Sequence, residues 1–403
     1  MTQWVGADAK PSARSLQITA MLERAAAQRA DDPVSQRRLA QSLTRSRAYV
    51  RAVAAWQRVV ELTPEDGPAR LELANLLLEE RLIERAVETL RQSCALHPNL
   101  AGVHAMLGRA LRMHGDEAAA EAAFDRAIAL APDEPICVRA IGRRLIRAGK
   151  GAELADHCAA VAARRGWSTG LLDHRAIAMA LQGRADDVAA MIDYPRLLRE
   201  QMVSPPTPFA SIAAFNRALA DEVRNGARVK ARRSYASDIV SAGTSLAGAT
   251  VDAVAHAERA TPASAALNEI FRQAFEAYAN AMEAHPDNPF PRLKPARARL
   301  AGGGHITRKA GHVRPHIHSG SWLVGVYYVA VPETPSSDLG GCLELGPPDH
   351  LVTLPDGIWP RRLIRPVAGL LLLFPGYFPH RTWPNSARDE RIVVSLDAVP
   401  VDA

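Results

Sequence analysis

The residues best suited to chemistry lie near the C-terminus. His316 and His318 stand two apart in Pro315-His316-Ile317-His318-Ser319, and His380 closes the stretch Phe374-Pro375-Gly376-Tyr377-Phe378-Pro379-His380, with Arg391 following eleven residues later. On a strand, residues i and i+2 point to one face, so His316 and His318 can reach a common ion. His380 follows the apolar run Gly369 to Phe374 and has to come from another strand or its end. The expectation is that His316, His318 and His380 hold one metal and that Arg391 binds an acidic cosubstrate beside it. The spacing alone does not decide the matter, because 13 histidines in 403 residues yield about 0.4 such pairs by chance. The competing reading is a pair of histidines satisfied in the core or at the surface.

The order of parts adds weight. A strand rich in aromatics follows the histidine pair; then come a Gly340-Gly341 turn, a second apolar strand, a histidine and an arginine. This order resembles the double-stranded β-helix of Fe(II)- and 2-oxoglutarate-dependent oxygenases, whose pattern is H-x-(D/E), a long gap, His and then Arg. The resemblance is closest to the bacterial branch that sits behind tetratricopeptide repeats. It is carried by PHIHSGSWLVGVYYVAVP, GGCLELGPP, GLLLLFPGYFPH and ERIVVSLD, nearly the C-terminal half of the chain. His316 and His380 match the two family histidines and Arg391 the cosubstrate arginine. His318 falls where most of the superfamily has a carboxylate, a departure this branch shares, and Val393 stands where the family often has a serine. The resemblance implies Fe(II) and 2-oxoglutarate as cofactors, dioxygen as cosubstrate, and oxidation of a C–H bond coupled to decarboxylation of 2-oxoglutarate to succinate.

The residues are compatible with that chemistry. Nitrogen ligands with open positions suit non-haem Fe(II), whereas a closed tetrahedral set suits structural zinc, and no cysteine stands near the three histidines. A guanidinium presents a planar fork that matches a carboxylate in two hydrogen bonds. Arg391, Val393 and Ser395 alternate onto one strand face, so Ser395 is a second candidate contact to the cosubstrate. Tyr328, Trp322 and Tyr377 are candidates to line the pocket, with burial in the core as their alternative. His305 and His312 lie nearby in sequence but outside the motif. Glu344 is the carboxylate that would replace His318 should His318 not bind.

These residues need elements to position them. From Ala296 the hydrophobic period is two: Ala296 to Leu300 and Gly304 to Arg308 read as strands around a glycine-rich turn, and further strands are expected over 313–318, 323–331, 342–345, 363–366, 369–374 and 391–397. About eight short strands with Gly/Pro punctuation predict a jelly roll. Thr261-Pro262 opens a helix whose apolar stripe, Leu267, Ile270, Phe271, Ala274, Tyr278 and Met282, is expected to brace an outer face of the β-core and to end near Ala284. A second helix is expected around Phe215 to Val223. The basic stretch Arg224, Arg228, Lys230, Arg232 and Arg233, with Tyr235 as its one aromatic neighbour and the small polar run after it, reads as a loop.

The N-terminal half follows a different rule. Leu39, Leu73, Leu107 and Ile141 recur every 34 residues, as do Ala52, Ala86 and Ala120; Trp56, Leu90 and Phe124; and Pro64, Pro98 and Pro132. Small residues sit where two helices cross closely, bulky ones fill the space between hairpins, and proline closes the second helix. This pattern resembles the tetratricopeptide repeat over residues 33 to 165, with a lone helix from Arg14 to Ala30 in front and a degenerate unit from Ile177 behind. Such an array forms a groove that takes an extended peptide or a partner helix. The run Val203-Ser204-Pro205-Pro206-Thr207-Pro208 marks a stiff junction. The expected architecture is therefore multidomain α + β: a repeat solenoid over 1–202 and a jelly roll with bracing helices over 203–403.

Composition sets limits. A hydrophobic content of 48% and a net charge of +6 are ordinary for a water-soluble chain and make no case for nucleic acid. No run of 18 apolar residues occurs, so no membrane span is expected, and Cys94, Cys137, Cys158 and Cys342 are scattered as in a reducing cytoplasm. Three functions remain in competition. One is a 2-oxoglutarate-dependent oxygenase acting on a peptide, protein or small molecule, with the repeats recruiting a partner or substrate. The second is a three-histidine cupin-type dioxygenase, which would not need Arg391. The third is a non-catalytic interaction protein.

Overall fold

The computed structural model describes residues 3–4, 13–46, 48–227, 261–283, 285, 287–307, 312–332, 339–349, 351–384 and 390–401. Of the expected basic loop, Arg224 lies on the helix Ile212–Ala227, and the rest from 228 on, with the polar run after it, lies outside the described residues, as does Arg308. By packing, the chain divides into two units: Lys10–Ile141, and Met1–Ala9 together with Gly142–Ala403. The composition shift at 203–208 falls inside the second.

The first unit is a stack of helical hairpins, as the repeat predicts: Pro33–Arg45 with Tyr49–Leu62, Gly67–Glu79 with Ile83–Leu96, and Ala101–His114 with Glu117–Leu130, preceded by the helix Ala13–Gln28. The repeat columns account for it. Ala40, Ala52, Ala74, Ala86 and Ala120 are fully buried where helices cross, and Trp56, Leu90 and Phe124 fill the spaces between. A Cβ on Gly108 would lie 3.0 Å from the Phe124 ring, so a larger residue at that crossing would have to displace the ring. Asp32, Asp66 and Asp116 cap their helices by accepting backbone N–H groups.

The second unit contains the helices Gly151–Arg165, Thr169–Leu181, Ile212–Ala227 and Pro262–Ala281 and two sheets. The strands are β1 (Gln3–Trp4), β2 (Arg199–Met202), β3 (Arg297–Thr307), β4 (Leu323–Ala330), β5 (Leu343–Leu345), β6 (Arg362–Ile364), β7 (Leu370–Pro375), β8 (His380–Thr382) and β9 (Arg391–Pro400). One sheet runs β1-β3-β9-β4-β7-β2 and the other β6-β5-β8, all antiparallel except β1 with β3. From β3 onward the chain passes back and forth between the two sheets, the expected jelly roll.

Two strand expectations change. Residues 297–307 form one continuous strand, not two around a turn. Gly302, at φ +142°, lets β3 lie against β9 where a Cβ would sit 2.1 Å from the Ser395 carbonyl oxygen, so its glycines serve close approach. The segment 313–318 is not a full strand; it makes a single bridge, His316 to His380.

The helix Pro262–Ala281 starts with a capping box between Thr261 and Ser264 and braces β4, as its stripe predicts. A Cβ on Gly325 would come within 2.4 Å of the Phe271 ring. Helix Ile212–Ala227 covers β3 and β4 alike: Val223 packs on Gly304, and the Tyr327 hydroxyl donates to Asn216 at 2.5 Å. Among the described residues no helix is long and apolar enough to cross a membrane.

Candidate metal centre

The backbone brings two of the histidines together. His316 N–H donates to the His380 carbonyl and His380 N–H to the His316 carbonyl, each at 3.0 Å. Directly opposed residues of an antiparallel pair send their side chains to one face, and here the two ring centroids are 4.2 Å apart. His318 lies past this bridge, where its N–H donates to the Gly376 carbonyl at 2.7 Å. Position 376 must be glycine, because a Cβ there would stand 2.1 Å from the Ser321 oxygen and 2.6 Å from the His318 oxygen. The structure thus gathers His316, His318 and His380, with one ring nitrogen from each lying within 4.8 Å of the others.

Hydrogen bonds assign the tautomers. His316 Nδ1 lies 2.9 Å from the Arg314 carbonyl, His380 Nδ1 2.9 Å from the Phe378 carbonyl and His318 Nδ1 2.6 Å from Asp397 Oδ2. Those oxygens only accept, so each Nδ1 carries its proton and donates, leaving each Nε2 of a neutral ring as a bare acceptor. His316 Nε2 and His318 Nε2 are 3.1 Å apart. Two lone pairs that close repel each other unless a cation or proton lies between them. Burial pushes the pKa of His380 down to about 3; the neighbouring His318 adds to the drop, while the Phe378 carbonyl and Asp397 oppose it. His380 is therefore neutral across the physiological range, the form in which imidazole ligates a metal. The donor set fits a divalent transition ion with coordination positions left open.

Arg391 opens β9 and is only 4% exposed, its guanidinium 5.4 Å from the centroid of the Tyr328 ring. No carboxylate pairs with it among the described residues. Its Nε, the Tyr328 hydroxyl and the hydroxyl of Thr307, which faces Arg391 across the β3–β9 ladder, are all buried without a well-formed hydrogen bond. Three such donors in one corner are compatible with an anion. Burial raises the pKa of the Tyr328 phenol, with the Arg391 charge opposing, so the phenol keeps its proton to donate. Ser395 shares the Arg391 face of β9 and is half-buried. Asp397, on the same face, meets His318.

Other candidates fall elsewhere. Glu344 accepts from Arg361 Nη1 at 2.6 Å, Arg381 Nε at 2.8 Å and Trp383 Nε1 at 2.9 Å. In the β5–β8 register Leu345 opposes His380 and Glu344 opposes Arg381, so alternation puts Glu344 on the face away from the histidines. Burial tends to raise its pKa, but hydrogen bonds from Arg381 and Arg361 prevail and hold the carboxyl below its ordinary value. Trp322 stacks on Phe290, and Tyr377 donates to the Met191 carbonyl at 2.6 Å, so both belong to the core. His305 and His312 do not join the three-histidine set. Asp397 is the residue that sequence reasoning missed. Its signal was the alternation Arg391, Val393, Ser395 carried one step further, which puts an acid on the site face of the last strand.

Residues 305–397, which contain His316, His318, His380 and Arg391, match a family model described as "Putative 2OG-Fe(II) oxygenase". No curated protein matches the chain. Among solved structures, the chain is similar to YrrB, described as a TPR protein with an unusual peptide-binding site, at 17% identity over 43% of this chain and 89% of that one, with a TM-score of 0.34. It is also similar to MamA from Desulfovibrio magneticus RS-1, at 22% identity over 36% of this chain and 83% of that one, TM-score 0.33. A further MamA structure aligns at 18% identity over 40% and 88%, TM-score 0.34.

Proposed function

We propose that the protein is a non-haem Fe(II)- and 2-oxoglutarate-dependent oxygenase. The observation that carries this reading is the convergence of His316, His318 and His380, each with Nδ1 on an oxygen behind it and with one ring nitrogen of each within 4.8 Å of the others. His316, His318 and His380 would hold Fe(II), and Arg391 would bind the far carboxylate of 2-oxoglutarate, with Tyr328 and Ser395 as additional contacts. Bound iron and 2-oxoglutarate together supply oxidation of a substrate C–H bond by dioxygen, with release of succinate and carbon dioxide. The chain's own residues do the rest. The carbonyls of Arg314 and Phe378 and the carboxylate of Asp397 orient the rings. Phe374 packs its ring on His380 at 4.9 Å and shields that ligand from water. The buried Arg391 charge favours a dicarboxylate over a neutral cosubstrate, and this distinguishes the reading from a three-histidine dioxygenase that needs no arginine.

The helical unit supports a recruiting role. A groove of about 560 Å³ is lined by both polar and apolar side chains, Arg37, Gln41, Thr44, Trp56, Leu71 and Glu72 among them, as suits an extended peptide or a partner helix. None of Cys94, Cys137, Cys158 and Cys342 is in a disulfide, in keeping with a reducing cytoplasm. The test is turnover: protein loaded with Fe(II) should convert 2-oxoglutarate to succinate with uptake of oxygen. Oxygen uptake of equal rate without 2-oxoglutarate would instead favour the three-histidine dioxygenase.

A further inference from the structure

The three histidines include no carboxylate, yet one stands directly behind them. We propose that Asp397 is the positioning residue of the metal centre: it fixes the tautomer and direction of His318 and lends the neutral histidine set the negative charge that a ligating carboxylate would have brought. This rests on reading the three histidines as ligands.

Three observations carry it. First, His316 and His380 lean on main-chain carbonyls at 2.9 Å, whereas His318 leans on a carboxylate at 2.6 Å. A charged acceptor makes the stronger bond and makes the ring a better donor to a metal. Second, the carboxylate is itself held. Ser321 Oγ donates to the same Oδ2 at 2.6 Å, and Ser321 N–H returns to the His318 carbonyl at 2.9 Å, closing a loop through the three residues. The β4–β9 ladder fixes its backbone, with Val324 opposite Asp397 and Trp322 N–H donating to the Ala398 carbonyl at 2.9 Å. Third, no lysine or arginine neutralises Asp397 among the described residues, and its Oδ1 is buried without a partner. Its charge therefore acts on His318 and on whatever the histidines hold.

The experiment titrates metal-free, full-length protein anaerobically with Mn(II) or Fe(II), and reads nitrogen hyperfine couplings with Cu(II) as a spectroscopic probe. Wild type should take up one ion with three nitrogen donors. Asp397→Ala should lower affinity about 10- to 100-fold and reduce the strongly coupled nitrogens from three to two. Asp397→Asn keeps an acceptor but not the charge, and should fall between wild type and Asp397→Ala. Ser321→Ala removes only the hydroxyl, should lower affinity a few-fold, and keeps the test alive if Asp397→Ala does not fold. Unchanged affinity and three nitrogens in both Asp397→Ala and Ser321→Ala would overturn the proposal. So would loss of an oxygen donor with all three nitrogens kept in Asp397→Ala, which would make Asp397 a ligand. A wild-type protein that binds no metal would instead sink the reading of the histidines on which this one stands.

Discussion

Two polar clusters occupy opposite faces of the same short strand pair, β5 with β8. On one face Glu344 receives hydrogen bonds from Arg361, Arg381 and Trp383, so its carboxylate oxygens are both occupied and both guanidinium charges are answered. On the other, His380 joins His316 and His318, each with Nδ1 on an oxygen behind it and one ring nitrogen of each within 4.8 Å of the others. Both are clusters of titratable groups around a buried residue, Glu344 in one and His380 in the other, and each contains a side chain able to ligate a metal. Saturation separates them. A closed network has nothing left to offer a ligand, while ring nitrogens gathered within reach of one another offer a cation several donors at once.

The largest effect that could break this contrast comes from the histidines. His316→Ala and His380→Ala should each abolish binding of Fe(II) or Mn(II) in an anaerobic titration, while Glu344→Ala leaves the affinity within about threefold. The reverse pattern would put the site on the wrong face. Next is Arg391→Ala, which removes one partner of a buried charge pair with the cosubstrate. It should cost about 3–5 kcal/mol, hence at least about two decades in 2-oxoglutarate affinity, and spare iron binding. Arg391→Lys should recover only part, since a point charge cannot make the forked contact.

Smaller effects sharpen the contrast from the structural side. Glu344→Ala should lower unfolding free energy by about 1–3 kcal/mol in a denaturant melt of the metal-free protein, because it strands donors. Asp173 supplies the third case, unsaturated but not convergent: it is 2% exposed, its Oδ1 has no partner, and burial raises its pKa to about 7, with Arg143 opposing. A carboxyl whose folded pKa lies above its unfolded value gives stability below the unfolded pKa and loses it as pH rises through the folded one. Stability should therefore fall between about pH 4 and pH 7 in wild type relative to Asp173→Asn, and the variant should be about 1 kcal/mol more stable at pH 8. A flat difference across that range in thermal melts would contradict the assignment.

The helical repeat was open to reading because one column needs the smallest residue at each crossing and another needs bulk, and these requirements recur every 34 residues. The jelly-roll strands and the bracing helix were readable through their periods. What the chain did not disclose was contact between distant segments. Nothing near Gly302 says whether a glycine run turns or lets β9 come close; the Ser395 carbonyl decides it. Residues 151–202, which read as the fading end of the repeats, pack in the β-containing unit, where Tyr278 donates to the Leu197 carbonyl at 2.8 Å and Asn288 to the Met191 carbonyl at 3.1 Å. Glu344 and Asp397 could not be ranked from sequence, since each is an acid on a short apolar strand. Strand parity against His380 and Arg391 separates them only once the register is known.

One titration bears on the whole account. Metal-free protein is loaded anaerobically with Fe(II), 2-oxoglutarate is added, and the visible spectrum is followed for the weak charge-transfer band of the iron–2-oxoglutarate chelate. The expected result is a band that saturates at one Fe(II) per chain, is lost in His380→Ala, and needs at least about two decades more 2-oxoglutarate in Arg391→Ala. Saturable Fe(II) binding with no band at any 2-oxoglutarate concentration, or a band whose midpoint is the same in Arg391→Ala, would contradict it.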